Sequence, residues 1–156
     1  MSNTVKRVFV SYSSPEQDVD ARKLETILGK EKFDVWSDYT TPPALEQEDE
    51  EWRREAISGA DAVLVLMSNA YQSNENCKLQ AEMALEFKKK TGKPIFGFIK
   101  VDPNLKEGDW LVSLKGRART FDVTGASYDR NIPVLINSLK RQQKPSETGP
   151  SKPIQG

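Results

Sequence analysis

The sequence contains no histidine and one cysteine, Cys77, among its 156 residues. Histidine is the commonest general base and a common metal ligand, so a Ser-His-Asp or Cys-His mechanism within this chain is excluded. A single thiol forms neither an internal disulfide nor a cysteine-based zinc site. We therefore predict no metal site and no disulfide framework.

The chain also lacks a net charge and a long hydrophobic run. Its 23 basic and 23 acidic residues cancel, which gives no support for nucleic acid or a membrane surface as the main partner. The central apolar stretch, residues 63–67, is far shorter than the about 20 residues that cross a bilayer. The first residues have no apolar signal-peptide core. We expect a cytoplasmic domain with no membrane insertion of this segment.

That central stretch is unbroken rather than alternating, which is typical of a strand covered on both faces. It predicts an α/β domain with helices above and below a parallel sheet. β-Branched and aromatic residues predict further strands over 7–12, 33–36, 94–101 and 119–123. Helical spacing predicts helices that end near residue 30 and that span 52–58, 74–90 (capped by Asn74 or Asn76) and 129–143, with one turn near Trp110. Five β-α units with right-handed crossovers predict a flavodoxin-like sheet of order 2-1-3-4-5.

The crevice of such a sheet lies at the carboxyl ends of the first and third strands. A phospho-accepting receiver domain shares this fold, but it needs an acidic cluster there to hold magnesium, and this chain has serines instead. Ser13 and Ser14 could bind phosphate or ribose, or could simply cap the first helix. Trp110 could stack on a base or on a neighbouring subunit. The residues expected at the crevice are Tyr12, Ser13, Ser14, Ser68, Asn69 and Trp110.

Several blocks of the sequence together resemble a Toll/interleukin-1 receptor (TIR) domain over about residues 6–141, and we assign the domain to residues 6–143. The blocks are residues 8–12 (VFVSY), 33–38 (FDVWSD) with a proline-containing loop, 57–68 (ISGADAVLVLMS), 73–77 (SNENC), 81–84 (AEMA) and 92–95 (GKPI). Residues 108–111 (GDWL) and 121–122 (FD) resemble invertebrate TIR proteins. Outside this domain we expect a flexible N-terminus over 1–5 and a disordered tail over 144–156, which is rich in Pro, Ser and Gly.

The resemblance implies two activities. Many TIR domains are signalling adaptors that assemble through TIR–TIR contacts, and others cleave the glycosidic bond of NAD to release nicotinamide. The cleaving members carry a glutamate on the third helix in a Trp-Cys-x-x-Glu pattern. In this chain Asn76 occupies the position of the tryptophan, and Gln80 occupies the position of the glutamate. We therefore expect association with other TIR domains in innate-immune-type signalling, with no cofactor required and NAD as a possible substrate.

The departure at Gln80 matters because NAD cleavage passes through an oxocarbenium-like ribosyl cation. A carboxylate stabilises that charge, as in glycoside hydrolysis, whereas a neutral amide supplies no negative charge. Glu82 would serve only if a bulge or register shift brought it round, because two helical residues correspond to a rotation of about 200°. Glu75, just before the helix, is a further carboxylate near the crevice.

The loop after the second strand is the expected interaction surface. Two prolines lower the entropy that it loses on binding, and an Ala-Leu pair would form an apolar tip. An ordinary connecting loop is the alternative. The acidic run 46–51 and the basic run 88–90 are either solvated faces or a head-to-tail contact between weakly associating copies. The loop residues are Tyr39, Thr40, Thr41, Pro42, Pro43, Ala44 and Leu45.

Overall fold

The computed structural model describes residues 5–13, 19–38, 41 and 43–141. Its strands are β1 (Arg7–Ser11), β2 (Asp34–Trp36), β3 (Ala62–Met67), β4 (Ile95–Lys100) and β5 (Thr120–Asp122). Its helices are α1 (Val19–Lys30), α2 (Asp49–Ser58), α3 (Asn69–Ser73), α4 (Glu75–Thr91), α5 (Asp109–Lys115) and α6 (Ser127–Arg141). The strands form one parallel sheet of order β2-β1-β3-β4-β5, which confirms the predicted flavodoxin-like arrangement.

β3 is the centre of this sheet, and all six of its residues are buried. Successive side chains of a strand point to opposite faces, so β3 supplies both apolar layers. Ala62, Leu64 and Leu66 pack in the layer that contains α1 and α6. Val63, Val65 and Met67 pack in the layer that contains residues of α2, α3, α4 and α5. The two layers explain why this strand reads as a continuous apolar run.

Gly97 of β4 is a close-packing position beside the central strand. It pairs with Leu64 of β3, and a Cβ at residue 97 would lie 2.7 Å from Leu64 Cδ2. Because Leu64 is fully buried, it has little room to move away. Glycine at this position therefore lets β4 lie against a full-sized leucine.

The helices differ from the sequence-based expectation in several places. α2 begins at Asp49 rather than at Trp52, and α6 begins at Ser127 rather than at Asp129. α3 was missed, because five residues are too few to show helical spacing; it begins where Ser68 Oγ accepts a hydrogen bond from the Tyr71 backbone amide at 3.0 Å. α5 is a seven-residue helix rather than a single turn. Asn74 caps α4 by accepting from the Cys77 amide, so the alternative cap, Asn76, was wrong. The observed strand ends lie within about one residue of the predicted ends, a difference typical of element boundaries.

Some predictions lie outside the described residues. They include residues 1–4 of the predicted flexible N-terminus, the predicted tail and the predicted serine cap before α1. Ser14, Tyr39, Thr40 and Pro42 also lie outside the described residues. Within the described ranges, none of the helices has both the length and the apolar character required to traverse a bilayer.

Candidate functional site

A buried chain of polar side chains crosses the carboxyl end of β1. Ser11 Oγ lies 2.8 Å from the Tyr71 hydroxyl of α3 and donates to Gln80 Oε1 of α4 at 2.7 Å. Gln80 Nε2 then donates to both carboxylate oxygens of Asp38, at 3.1 and 3.0 Å. Ser11 and Gln80 are each only 1% exposed. Polar groups this deeply buried require partners, and the chain supplies them.

In this chain of polar side chains, each residue donates its hydrogen bond toward Asp38. An ionised carboxylate only accepts, so the Gln80 amide must turn its NH2 group to Asp38 and its oxygen to Ser11. Ser11 has one hydroxyl proton, which it gives to Gln80, so the Tyr71 hydroxyl donates to Ser11. Burial raises the pKa of Tyr71 well above its usual range, which keeps that proton in place. The chain therefore ends on Asp38 as its terminal acceptor.

Asp38 is half-buried just after β2. Burial raises the pKa of its carboxyl group, although the Gln80 amide, the Arg53 guanidinium and Asn76 oppose this shift. Asn76 Nδ2 donates to Asp38 Oδ2 at 3.2 Å, and Arg53 Nη2 donates to Asn76 Oδ1 at 3.1 Å. A carboxylate with a raised pKa in a polar cluster is a common feature of functional sites.

The two glutamates suggested by the sequence lie elsewhere on α4. Glu82 is exposed and accepts a hydrogen bond from Trp110 Nε1 at 3.1 Å. α4 is a continuous α-helix through these positions, so the helix contains no bulge that turns Glu82 toward Gln80. Glu75 is exposed in the first turn. Their catalytic roles remain predictions.

Trp110, a predicted crevice residue, contacts the polar chain at Tyr71. Its ring stacks on Tyr71 at a centroid distance of 6.4 Å, and the Lys78 ammonium lies 5.6 Å from the Trp110 ring centre. Trp110 therefore covers the Tyr71 end, opposite Asp38.

Ser68 and Asn69 follow β3 but serve local structure. Ser68 caps α3. Asn69 Nδ2 donates to the Asn104 carbonyl at 2.9 Å, and Asn69 Oδ1 accepts from the Lys106 amide at 2.9 Å. Asn69 thus holds the loop after β4 rather than the polar chain.

Tyr12 belongs to the other face of the sheet. It packs with α1 and α6 and lines an open cleft of about 520 Å³ beside β2, together with Arg22 and Glu25. Burial raises the pKa of Glu25, although hydrogen bonds from Ser37 and Tyr12 oppose this. Ser13, two residues after β1, is half-buried. Across the residues that can be described, no group of three or more His, Cys, Asp or Glu is placed to hold a metal ion.

The predicted interaction loop is described at four of its residues. Ala44 and Leu45 are exposed, and the Leu45 side chain is fully so, as expected for an apolar tip. The Thr41 amide donates to the Ser37 carbonyl at 3.0 Å, and the Ala44 amide donates to Gln47 Oε1 at 3.1 Å. Pro43 is half-buried.

Sequence reasoning did not select Ser11, Asp38 or Tyr71 as site residues. Asp38 could have been found, because the carboxyl ends of adjacent parallel strands meet at one edge and β2 pairs with β1. Ser11 could have been preferred to Tyr12 because alternation puts the two on opposite faces. Tyr71 carried no signal, because α3 itself was not predicted.

Comparison with known proteins agrees with this fold. A family model described as TIR domain matches residues 8–145, and the chain belongs to the TIR domain family. Among solved structures, the TIR domains of the activated Roq1 resistosome directly recognizing the pathogen effector XopQ superpose with a TM-score of 0.65. They are 16% identical, and the match covers 87% of this chain and 98% of that chain. This likeness shows the fold. None of the curated proteins compared with the chain matches it.

The polar chain predicts an order of stability among substitutions. Tyr71→Phe removes one donor and leaves the Ser11–Gln80 bond intact, so we expect a loss of about 1 kcal/mol. Ser11→Ala leaves both the Tyr71 hydroxyl and Gln80 Oε1 buried without this partner, so we expect about 2–3 kcal/mol. Urea unfolding measures both variants. Equal losses, or a larger loss for Tyr71→Phe, would contradict the position of Ser11 between Tyr71 and Gln80.

Proposed function

We propose that the protein is a cytoplasmic signalling module that acts by homotypic or heterotypic association with other TIR domains. The observation that carries this proposal is Gln80. At the position where NAD-cleaving TIR domains carry a glutamate, this TIR domain has a neutral amide that is buried and fully engaged with Ser11 and Asp38. The similar Roq1 TIR domains come from an assembled resistosome, which supports association as the mode of action.

The exposed Ala44–Leu45 tip supports a contact surface. Covering a fully exposed leucine contributes about 1.5–3 kcal/mol, so a single tip residue supports weak association only. We propose that this tip inserts against a neighbouring TIR domain.

Charge complementarity supports a head-to-tail contact. Asp49, Glu50 and Glu51 are exposed in the first turn of α2, and Lys88, Lys89 and Lys90 are exposed in the last turn of α4. Surfaces of opposite sign steer association and fix its register, and they lose strength as salt screens them. A head-to-tail contact that does not close produces a filament.

The association proposal predicts a concentration-dependent mass that Leu45→Glu lowers. We expect light scattering of the wild type to show a rising average mass across a concentration series, and Leu45→Glu to shift the midpoint upward at least tenfold. Val112→Glu is the matched control, since Val112 is also an exposed apolar residue but lies on α5. Raising salt to about 0.5 M should weaken the assembly, because exposed charges are screened over a few ångströms there.

A wild-type domain that stays monomeric at every concentration and binds no other TIR domain would contradict this function. Equal effects of Leu45→Glu and Val112→Glu would contradict the role of the tip.

A second candidate function is NAD cleavage with release of nicotinamide. The observation that favours it is a carboxylate, that of Asp38, within hydrogen-bond distance of Gln80. The site therefore has a negative charge, although not on the helix position where the family carries it. Glu82 and Glu75 are the other candidate carboxylates. Tyr12, Ser13, Ser14, Ser68, Asn69 and Trp110 remain proposed crevice residues for the dinucleotide.

Nicotinamide release from NAD at high protein concentration tests this second function. If Glu82 or Glu75 is the catalytic acid, Glu82→Ala or Glu75→Ala should abolish release. The geometry favours unchanged release in both variants, because both side chains are exposed and Glu82 is hydrogen-bonded to Trp110. A wild-type domain that releases no nicotinamide would exclude cleavage by the isolated chain.

We further propose that the chain is an invertebrate-type TIR protein. Residues 108–111 (GDWL) support this, and Asp109, Trp110 and Leu111 open α5. A tree of TIR sequences of known origin that places the chain outside invertebrate branches would contradict it.

A further inference from the structure

We propose that the cleft between α1 and β2 binds a small zwitterion with an apolar body, such as an apolar α-amino acid, through the opposite charges of Glu25 and Arg22. The cleft has a volume of about 520 Å³ and lies beside β2, which is an edge strand of the sheet. Sites for small molecules have volumes of about 300–1,000 Å³. The cleft is on the face of α1 and α6, so the proposal depends neither on TIR–TIR association nor on NAD cleavage.

Glu25 and Arg22 carry opposite charges that share the cleft without pairing with each other. They are three residues apart on α1, which places them on one face of the helix, and both line the cleft. None of the ion pairs among the described residues includes either side chain. A zwitterion fits this arrangement, because its ammonium group can pair with Glu25 while its carboxylate pairs with Arg22.

The Glu25 carboxyl group favours a cationic partner. Burial raises its pKa, and the hydrogen bonds from Ser37 and Tyr12 and, least of all, the charge of Arg22 oppose this rise. The ionised carboxylate therefore has less compensation in the cleft than it has in water, and a positive charge brought beside it is favoured. Arg22 is exposed, so its guanidinium group is accessible to the carboxylate of the ligand.

A second carboxylate of the cleft, that of Asp34, is already engaged. Arg7 Nε lies 3.5 Å from Asp34 Oδ2, and Trp36 Nε1 donates to the same oxygen at 3.2 Å. Glu25 is therefore the carboxylate to which we assign the ammonium group of the ligand.

Apolar and small residues shape the rest of the cleft. Phe33 is buried and Val35 is half-buried, and both line the cleft, so they offer an apolar surface to the body of the ligand. Gly29 also lines the cleft, and a Cβ at residue 29 would meet no atom within 4 Å. A larger side chain at this position would therefore enter the cleft without displacing the protein around it.

Titration with L-phenylalanine, followed by NMR of the backbone amides, tests the proposal. We expect saturable shifts around the cleft with a dissociation constant on the order of 1 mM, because the cleft is open and its charges are partly exposed. Phenethylamine lacks the carboxylate and 3-phenylpropanoate lacks the ammonium group, so each should bind about fivefold more weakly, the upper end for one partly exposed ion pair. Equal affinity for the three compounds, or no saturable shift around the cleft with L-phenylalanine, would overturn the proposal.

Two substitutions assign the charges. Arg22→Gln should weaken binding of L-phenylalanine about fivefold and leave phenethylamine binding unchanged, because phenethylamine makes no contact with Arg22. Glu25→Gln should weaken binding of L-phenylalanine and leave 3-phenylpropanoate binding unchanged. Binding of L-phenylalanine that neither substitution weakens, or the reverse pattern with the two partial ligands, would overturn the assignment.

Gly29→Leu tests the cleft without changing either charge. We expect it to abolish the shifts around the cleft, while the midpoint of urea unfolding stays at or above that of the wild type, because leucine favours a helix more than glycine does. Lys30→Leu is the matched control, since Lys30 is the exposed neighbour of Gly29 on α1 but does not line the cleft. This control should bind L-phenylalanine as the wild type does. Unchanged binding in Gly29→Leu would place the ligand elsewhere and overturn the proposal.

Discussion

The hydrogen bond between Gln80 and Asp38 is the contact on which the candidate site depends. It joins α4 to the loop after β2, and through Ser11 it also joins both to β1. A buried amide that lost either partner would carry the full penalty of desolvation. The neutral Gln80 side chain therefore holds β1, α4 and the loop after β2 together. The Asp38 carboxylate lies at this edge of the sheet.

The two faces of the sheet carry different kinds of structure. The polar chain lies on the face of α2 to α5, whereas Tyr12 and Glu25 line a separate cleft toward α1. The exposed Leu45 tip is seven positions after Asp38 in the sequence. A TIR–TIR contact at this tip would therefore engage the same segment that carries the site's carboxylate, which connects the proposed association with the proposed site.

The strand order of the sheet could be predicted from the sequence, because it follows from features that are visible within a few residues. The apolar run of β3 requires cover on both faces, and parallel strands with right-handed crossovers leave few topologies. The cap at Asn74 and the exposed Leu45 were also predictable from local chemistry. The position of Asp38 at this edge was predictable, because β2 pairs with β1 and the carboxyl ends of parallel strands meet there. Its hydrogen bond with Gln80, 42 positions away in the sequence, was not, because it depends on where the Gln80 side chain points. Tyr71 depended on a helix too short to show periodicity.

The central claim is that Asp38 is the terminal acceptor of a buried hydrogen-bond chain that passes through Gln80. Carbon-13 NMR titration of the Asp38 carboxyl group, with the Gln80 side-chain amide observed in parallel, tests this most directly. We expect a pKa for Asp38 above its ordinary value of 3.8, with the Gln80 amide signals shifting at the same pH. An ordinary pKa for Asp38, with Gln80 signals that do not respond to its titration, would contradict the claim.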